Sequence, residues 1–123
     1  MSPFLLMGNA MAQVRERAEI RNLRLWYGLS QPEFARAAGV SERAVIRWEL
    51  GQVTPMPLAR RSLTLLEDLH TRLLKRYGEK RAQDWLRQPN RALRGNPPID
   101  VLIASGPTPV RDIVVGPEAG TYR

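Results

Sequence analysis

Catalysis by side chains needs a nucleophile or base held beside a second polar group, and this sequence offers few such parts. It has one histidine, His70, and no cysteine. No glycine-rich phosphate cradle follows a strand-like run, so His70 would have to act alone as a base, amid a helical stretch where a plain helix-face role explains it better. Metal binding fails for the same shortage of ligands, so no enzyme activity, metal or cofactor is expected. Without cysteine there is also no disulfide framework. Recognition chemistry is better represented. The chain carries 19 Lys+Arg against 12 Asp+Glu, a formal net charge of +7, and a pI near 11.0, which argues for an anionic partner, nucleic acid first. Seventeen of the 19 basic residues are arginine, whose planar fork suits bidentate contact with phosphate or guanine. Codon usage in a GC-rich genome produces the same excess.

That chemistry is concentrated in Ser41, Glu42, Arg43 and Arg47. Arg43 or Arg47 can pair with the O6 and N7 of guanine, Glu42 can accept from the cytosine amino group, and Ala44 can touch a thymine methyl. The alternative is that these residues form an ordinary solvated face.

The elements that would position them are helices. Ile20, Leu23 and Tyr27 step by three and four, so a first helix is expected over about 14–27, closed by Gly28 and preceded by an N-terminal arm over 1–13. Ser30 and Glu33, three apart with Pro32 between them, form a capping box that starts a helix at about 31–38. Gly39-Val40-Ser41 is a tight connection with a second N-cap, and Val45 and Trp48 set the inner face of a third helix that Gly51 closes. Two short helices joined by such a turn are the outline of a helix-turn-helix. From Pro57, Leu66, Leu69, Leu73 and Tyr77 mark a long helix ending near Gly78. A short amphipathic stretch with Ala82, Trp85 and Leu86 follows, and then proline and glycine allow only short helices, with candidates at 98–104 and 109–115. The expected fold is all-α.

Over about residues 18–57 the chain resembles the phage-repressor-like, or Xre-type, DNA-binding family, through Leu29-Ser30-Gln31-Pro32-Glu33-Phe34-Ala35, Gly39-Val40-Ser41 and Ile46-Arg47-Trp48-Glu49-Leu50-Gly51. Its glycines, caps and apolar positions fall in register over forty residues. Over about 79–123, Trp85 to Leu93, Pro98 to Leu102 and Val110 to Gly116 resemble the toxin-binding domain of the Xre/MbcA/ParS antitoxins. One departure is Ala104-Ser105-Gly106-Pro107-Thr108, with two breakers where the family carries a glycine followed by charged helix formers. The resemblance implies a DNA-binding head over 14–56, a connecting helix over 57–78 and a toxin-binding tail over 79–123. The implied function is an antitoxin that blocks a cognate RES-type or ParT-type toxin acting on NAD and represses its own operon at operator DNA. It assigns DNA contact to Gln31, Ser41, Glu42, Arg43 and Arg47, with Gln31 holding a phosphate. It assigns toxin contact to Trp85, Asn90, Arg91, Tyr122 and Arg123, the last two as a plug over the toxin's NAD pocket.

Several features keep a plainer reading. Arg72, Lys75, Arg76, Lys80 and Arg81 are expected to be a solvated helix face before a phosphate track, and Trp48 and Trp85 core before stacking platforms. Leu25 lies opposite Leu23, so an apolar group faces outward, fit for a dimer contact or a second core. A homodimer is expected because repressor heads read two half-sites of a palindrome. Phe4-Leu5-Leu6-Met7 is too short for a signal-peptide core and no run approaches 18 apolar residues, so a cytoplasmic protein without a membrane span is expected. A stand-alone regulator whose C-terminal region dimerises or senses a ligand is the competing function.

Overall fold

The computed structural model describes residues 3–119, with side chains described for 15–116. Among these the chain is all-helical: α1 (Pro3–Tyr27), α2 (Gln31–Ala38), α3 (Glu42–Glu49), α4 (Pro57–Tyr77), α5 (Glu79–Arg87), a 3-10 turn (Arg91–Leu93), α6 (Pro98–Ser105) and α7 (Thr108–Ala119). No described helix is long and apolar enough to cross a membrane.

Local chemistry accounts for most of these boundaries. The Ser30 hydroxyl accepts from the Glu33 amide at 3.2 Å while the Glu33 carboxylate accepts from the Ser30 amide at 2.9 Å, so the capping box forms in full and α2 begins where it must. Those bonds hold the Glu33 carboxyl below its usual range. Gly39 ends α2 at φ +72, in the left-handed region, and the Ser41 hydroxyl then accepts from the Ala44 amide at 3.1 Å to open α3. α4 starts on Pro57, which has no amide to leave unpaired.

Two boundaries differ from expectation. The first helix begins at Pro3 rather than near residue 14. A proline suits a first helical turn, and the Leu, Met, Ala and Gln residues that follow propagate a helix well enough that Gly8 alone does not stop it. The last helix runs through Gly116 and Pro117 to Ala119. In the final turn a proline removes only one donor, and the glycine before it has no Cβ to meet the ring. The breakers at 104–108 become the α6–α7 turn, with Gly106 at φ +84.

One hydrophobic core serves the whole chain. Ile20, Leu23, Tyr27, Phe34, Val45 and Trp48 from the first three helices join Leu63, Leu66, Leu69 and Leu73 of α4. Ala82, Leu86, Leu102, Val110 and Val114 from α5 to α7 belong to the same cluster. Burying each large member stabilises by roughly 1.5–3 kcal/mol. α4 therefore packs against α1 and α2 as well as against α5 and α7, while α6 packs on α2. Tyr27 is fully buried, and its hydroxyl donates to the Leu66 carbonyl at 2.6 Å, which joins α1 to α4. Burial pushes that hydroxyl far above the usual tyrosine range.

Candidate functional site

The outer face of α3 is the candidate interface. Val45 and Trp48 are buried, and since helix positions three or four apart share a face, Glu42, Arg43 and Arg47 are left exposed, with Ser41 exposed at the cap. Ala44 is half-buried at the edge of this face. Arg43 and Arg47 form one wall of an open groove of about 1070 Å³ between α3 and the start of α4, with Gln52, Thr54, Met56 and Leu58 also lining it. Two guanidinium groups beside amide and hydroxyl donors in a concave, open face are equipped to recognise an anion bearing hydrogen-bond acceptors.

A partly buried ion pair fixes the angle at which α3 is presented. Arg24 of α1 donates through Nε to Glu49 Oε2 at 2.7 Å and through Nη2 to Oε1 at 2.9 Å, and its Nη1 reaches the Leu29 carbonyl at 3.1 Å. The two side chains are only 13% and 7% exposed, which puts this pair in the class whose loss leaves an uncompensated charge. Hydrogen bonding to Glu49 raises the Arg24 guanidinium above its already high value, against desolvation that lowers it. Sequence reasoning missed this pair, yet a signal was there: Arg24 occupies the position four after Ile20 on the apolar stripe, and Glu49 the position four after Val45. Gln31 joins the same group, donating through Nε2 to Glu49 Oε1 at 3.3 Å. It lies half-buried where α2 begins, with its amide turned to Glu49.

The tail residues are placed differently. Trp85 is half-buried and stacks on Tyr77 at 5.7 Å between centroids. Asn90 organises a turn: its Oδ1 accepts from the Ala92 amide at 2.9 Å, its backbone oxygen accepts from Leu93 and Gly95, and its amide donates to the Asn96 carbonyl. Arg91 is exposed at the start of the 3-10 turn. Tyr122 and Arg123 lie outside the described residues. In the basic cluster, Arg72 and Arg111 both donate to Asp68, at 2.9 and 2.6 Å, Arg76 donates to the Val114 carbonyl at 3.2 Å, and Lys80 pairs with Asp84 at 3.1 Å. Desolvation pushes the Asp68 carboxyl up, but the bonds from Arg111 and Arg72 outweigh it and hold the group below its usual range. Lys75 and Arg81 are exposed.

The tail is joined to the head at the end of α1. Arg87 donates through Nη2 to the Tyr27 carbonyl at 2.8 Å, Gln83 donates to the Trp26 carbonyl at 2.6 Å, and Trp26 Nε1 donates to Glu79 at 2.8 Å. Two side chains of α5 thus satisfy carbonyls that the end of α1 leaves unpaired. Gly28, at φ +71, has the Arg87 guanidinium where a Cβ would stand, 2.6 Å from it. His70 lies half-buried with its ring centroid 4.2 Å from that of Trp26, and burial pushes its pKa down, partly offset by Glu79.

Comparison with known proteins matches both halves. Residues 20–59 match the helix-turn-helix family, and residues 73–114 match the family described as the antitoxin Xre/MbcA/ParS C-terminal toxin-binding domain. The chain is 33% identical over 87 residues to a probable mycobacterial cidal antitoxin of Mycobacterium tuberculosis, covering 71% of this chain and 74% of that protein. It shares the fold of a chain in the crystal structure of the M. tuberculosis MbcT–MbcA toxin–antitoxin complex, with a TM-score of 0.56 and 24% identity over 87% of this chain and 96% of that one. With the relative's length largely covered and both halves matched in order, the chain belongs to the Xre/MbcA/ParS antitoxins, antitoxins of toxin–antitoxin systems that carry a helix-turn-helix domain.

Proposed function

We propose that this chain neutralises a cognate toxin of the RES or ParT type, which acts on NAD, and represses its own operon by binding operator DNA as a homodimer in the cytoplasm. The observation that carries the reading is the union of the two matched segments in one core, with the toxin-binding match on helices that pack against α2 of the head and against the connecting helix α4. The toxin named in the related complex is MbcT, and a protein of that chemistry is the partner this chain would take.

In this reading the head extends over 14–56, α4 connects, and the tail over 79–123 contacts the toxin. Arg43 and Arg47 read base edges, helped by Ser41 and Glu42, and Gln31 holds a phosphate at the start of α2. Trp85, Asn90 and Arg91 form the toxin-facing part of the tail, with Tyr122 and Arg123 closing the toxin's pocket. The chain acts by binding alone in this reading.

The test is co-expression with the protein encoded beside this one. A stoichiometric complex and restored growth are expected; a chain that binds operator DNA yet neither captures nor neutralises that protein is a stand-alone regulator. Removing residues 117–123 separates the plug from the rest, since undiminished protection would show that Tyr122 and Arg123 are dispensable.

A further inference from the structure

On the reading of the head as a duplex-binding module, α3 fills a major groove about 12 Å wide, because a helix with its side chains is itself about 10–12 Å across. The segments before and after it are then set against the phosphates of the two rims. On one flank the start of α2 offers Ser30, Gln31 and free helix amides. On the other comes Gly51-Gln52-Val53-Thr54-Pro55-Met56-Pro57-Leu58, a run without a single charged residue. A cation reaches this second flank from elsewhere in the chain. Arg17 of α1 lies across the bare backbone of Gly51, where a Cβ would stand 2.9 Å from its Nη1 and 3.1 Å from its Cδ. Gly51 is shared by two cavities: it lines a small one with Arg17, and the open groove with Arg43 and Arg47. Positions 43, 47 and 51 are four apart, so Arg17, seated over position 51, extends the row that Arg43 and Arg47 begin.

We propose that Arg17 is a phosphate-binding residue of the head, holding the DNA backbone at the rim that the loop after α3 faces. The proposal rests on the DNA-binding reading above. Neighbouring cations are accounted for. Arg24 is spent on Glu49, and Arg60 pairs with Glu16 and donates to the Pro55 carbonyl at 3.3 Å. Arg61 lines neither cavity. Arg17 is exposed and, among the described residues, takes no ion pair or hydrogen bond, so its donors stay available. With no Cβ at Gly51, the Arg17 stem covers loop backbone while its charge remains in water. The contact carries charge and no sequence information, since the phosphate is the same at every step. A plainer role for a guanidinium here is to complement the negative end of the α3 dipole. The two roles part in their dependence on salt: a phosphate contact releases counterions from the duplex, and a contact within the protein does not.

Full-length protein selects duplexes from a random-sequence pool, and binding to a selected duplex and to random DNA of equal length is then measured over a salt series. Arg17→Gln keeps the helix propensity of the position and removes the charge. It is expected to weaken both complexes by the same factor, about eightfold at about 0.1 M salt and vanishing toward molar salt. The slope of log affinity against log salt should fall by about 0.9 per bound chain. Arg17→Lys should keep the slope, because an ammonium also binds phosphate. An unchanged slope in Arg17→Gln would overturn the proposal, and a lowered thermal midpoint beside it would assign Arg17 to the α3 dipole instead. A loss confined to the selected duplex would also overturn it, since that is base readout. If the wild-type chain enriches and binds no duplex, the DNA-binding reading fails and the proposal with it. With wild-type binding intact and only the Arg17→Gln slope unchanged, the reading stands and the proposal alone falls.

Discussion

The outer face of α3 and the joint between α1 and α5 are both rich in arginine, and they use it in opposite ways. At the joint, Arg87 is spent on the Tyr27 carbonyl, and nearby Arg24 is spent on Glu49 and the Leu29 carbonyl. On α3, Arg43 and Arg47 are exposed and stand over an open groove. Committed guanidinium groups hold helices at fixed angles, whereas solvated ones keep their donors for an incoming partner. Net charge alone does not reveal this division, because both sets contribute equally to +7.

Substitutions sharpen or break the contrast. The largest effect is expected from Glu49→Ala, which strands the Arg24 charge in a nearly buried setting and should lower unfolding free energy by about 3 kcal/mol in denaturant titration. Arg43→Ala should leave stability within about 0.5 kcal/mol and reduce discrimination between a selected duplex and random DNA by roughly 1–3 kcal/mol. If Arg43→Ala were as destabilising as Glu49→Ala, the contrast would be wrong. Gly28→Ala should cost about 1–2 kcal/mol, because alanine strains at φ +71 and its methyl displaces the Arg87 guanidinium from the Tyr27 carbonyl. In the Arg87→Ala background the same change should cost less, a non-additivity that a double-mutant cycle measures.

The smallest expected effect is a pH dependence. The folded-state pKa of His70 lies below its ordinary value, so the unfolded chain binds the proton more readily. Its contribution to stability is present above about pH 6.5 and declines as pH falls through that value. Asp68 has the same sign further into acid, its contribution disappearing as pH falls through its lowered pKa. Denaturant midpoints should therefore drop slightly from pH 7 to 5, and less so in His70→Gln, which carries no titrating ring.

The helix-turn-helix was readable without coordinates because each signal acts within a few residues. Ser30 with Glu33, Gly39 and Ser41 fix where helices start and stop, and Val45 with Trp48 fixes which side of α3 faces inward. The start of α1 at Pro3 was harder to see, since apolar periodicity fades before Val14 while the backbone continues helical. The candidate site was legible only in part. Arg43 and Arg47 could be placed on an outer face, but the groove beside them depends on where α4 lies.

What the sequence determined, then, is the set of helices, their caps and their inner faces, since hydrogen bonds to neighbours three and four residues away, and a period of 3.6, are written locally. Only the tertiary structure decided that Arg24 meets Glu49 across 25 residues, that Arg87 meets the Tyr27 carbonyl across 60, and that Met56 and Leu58 remain uncovered. Those outcomes depend on the angles at which helices cross. Such angles are set by the combined packing of every core side chain, and no short stretch of residues contains them.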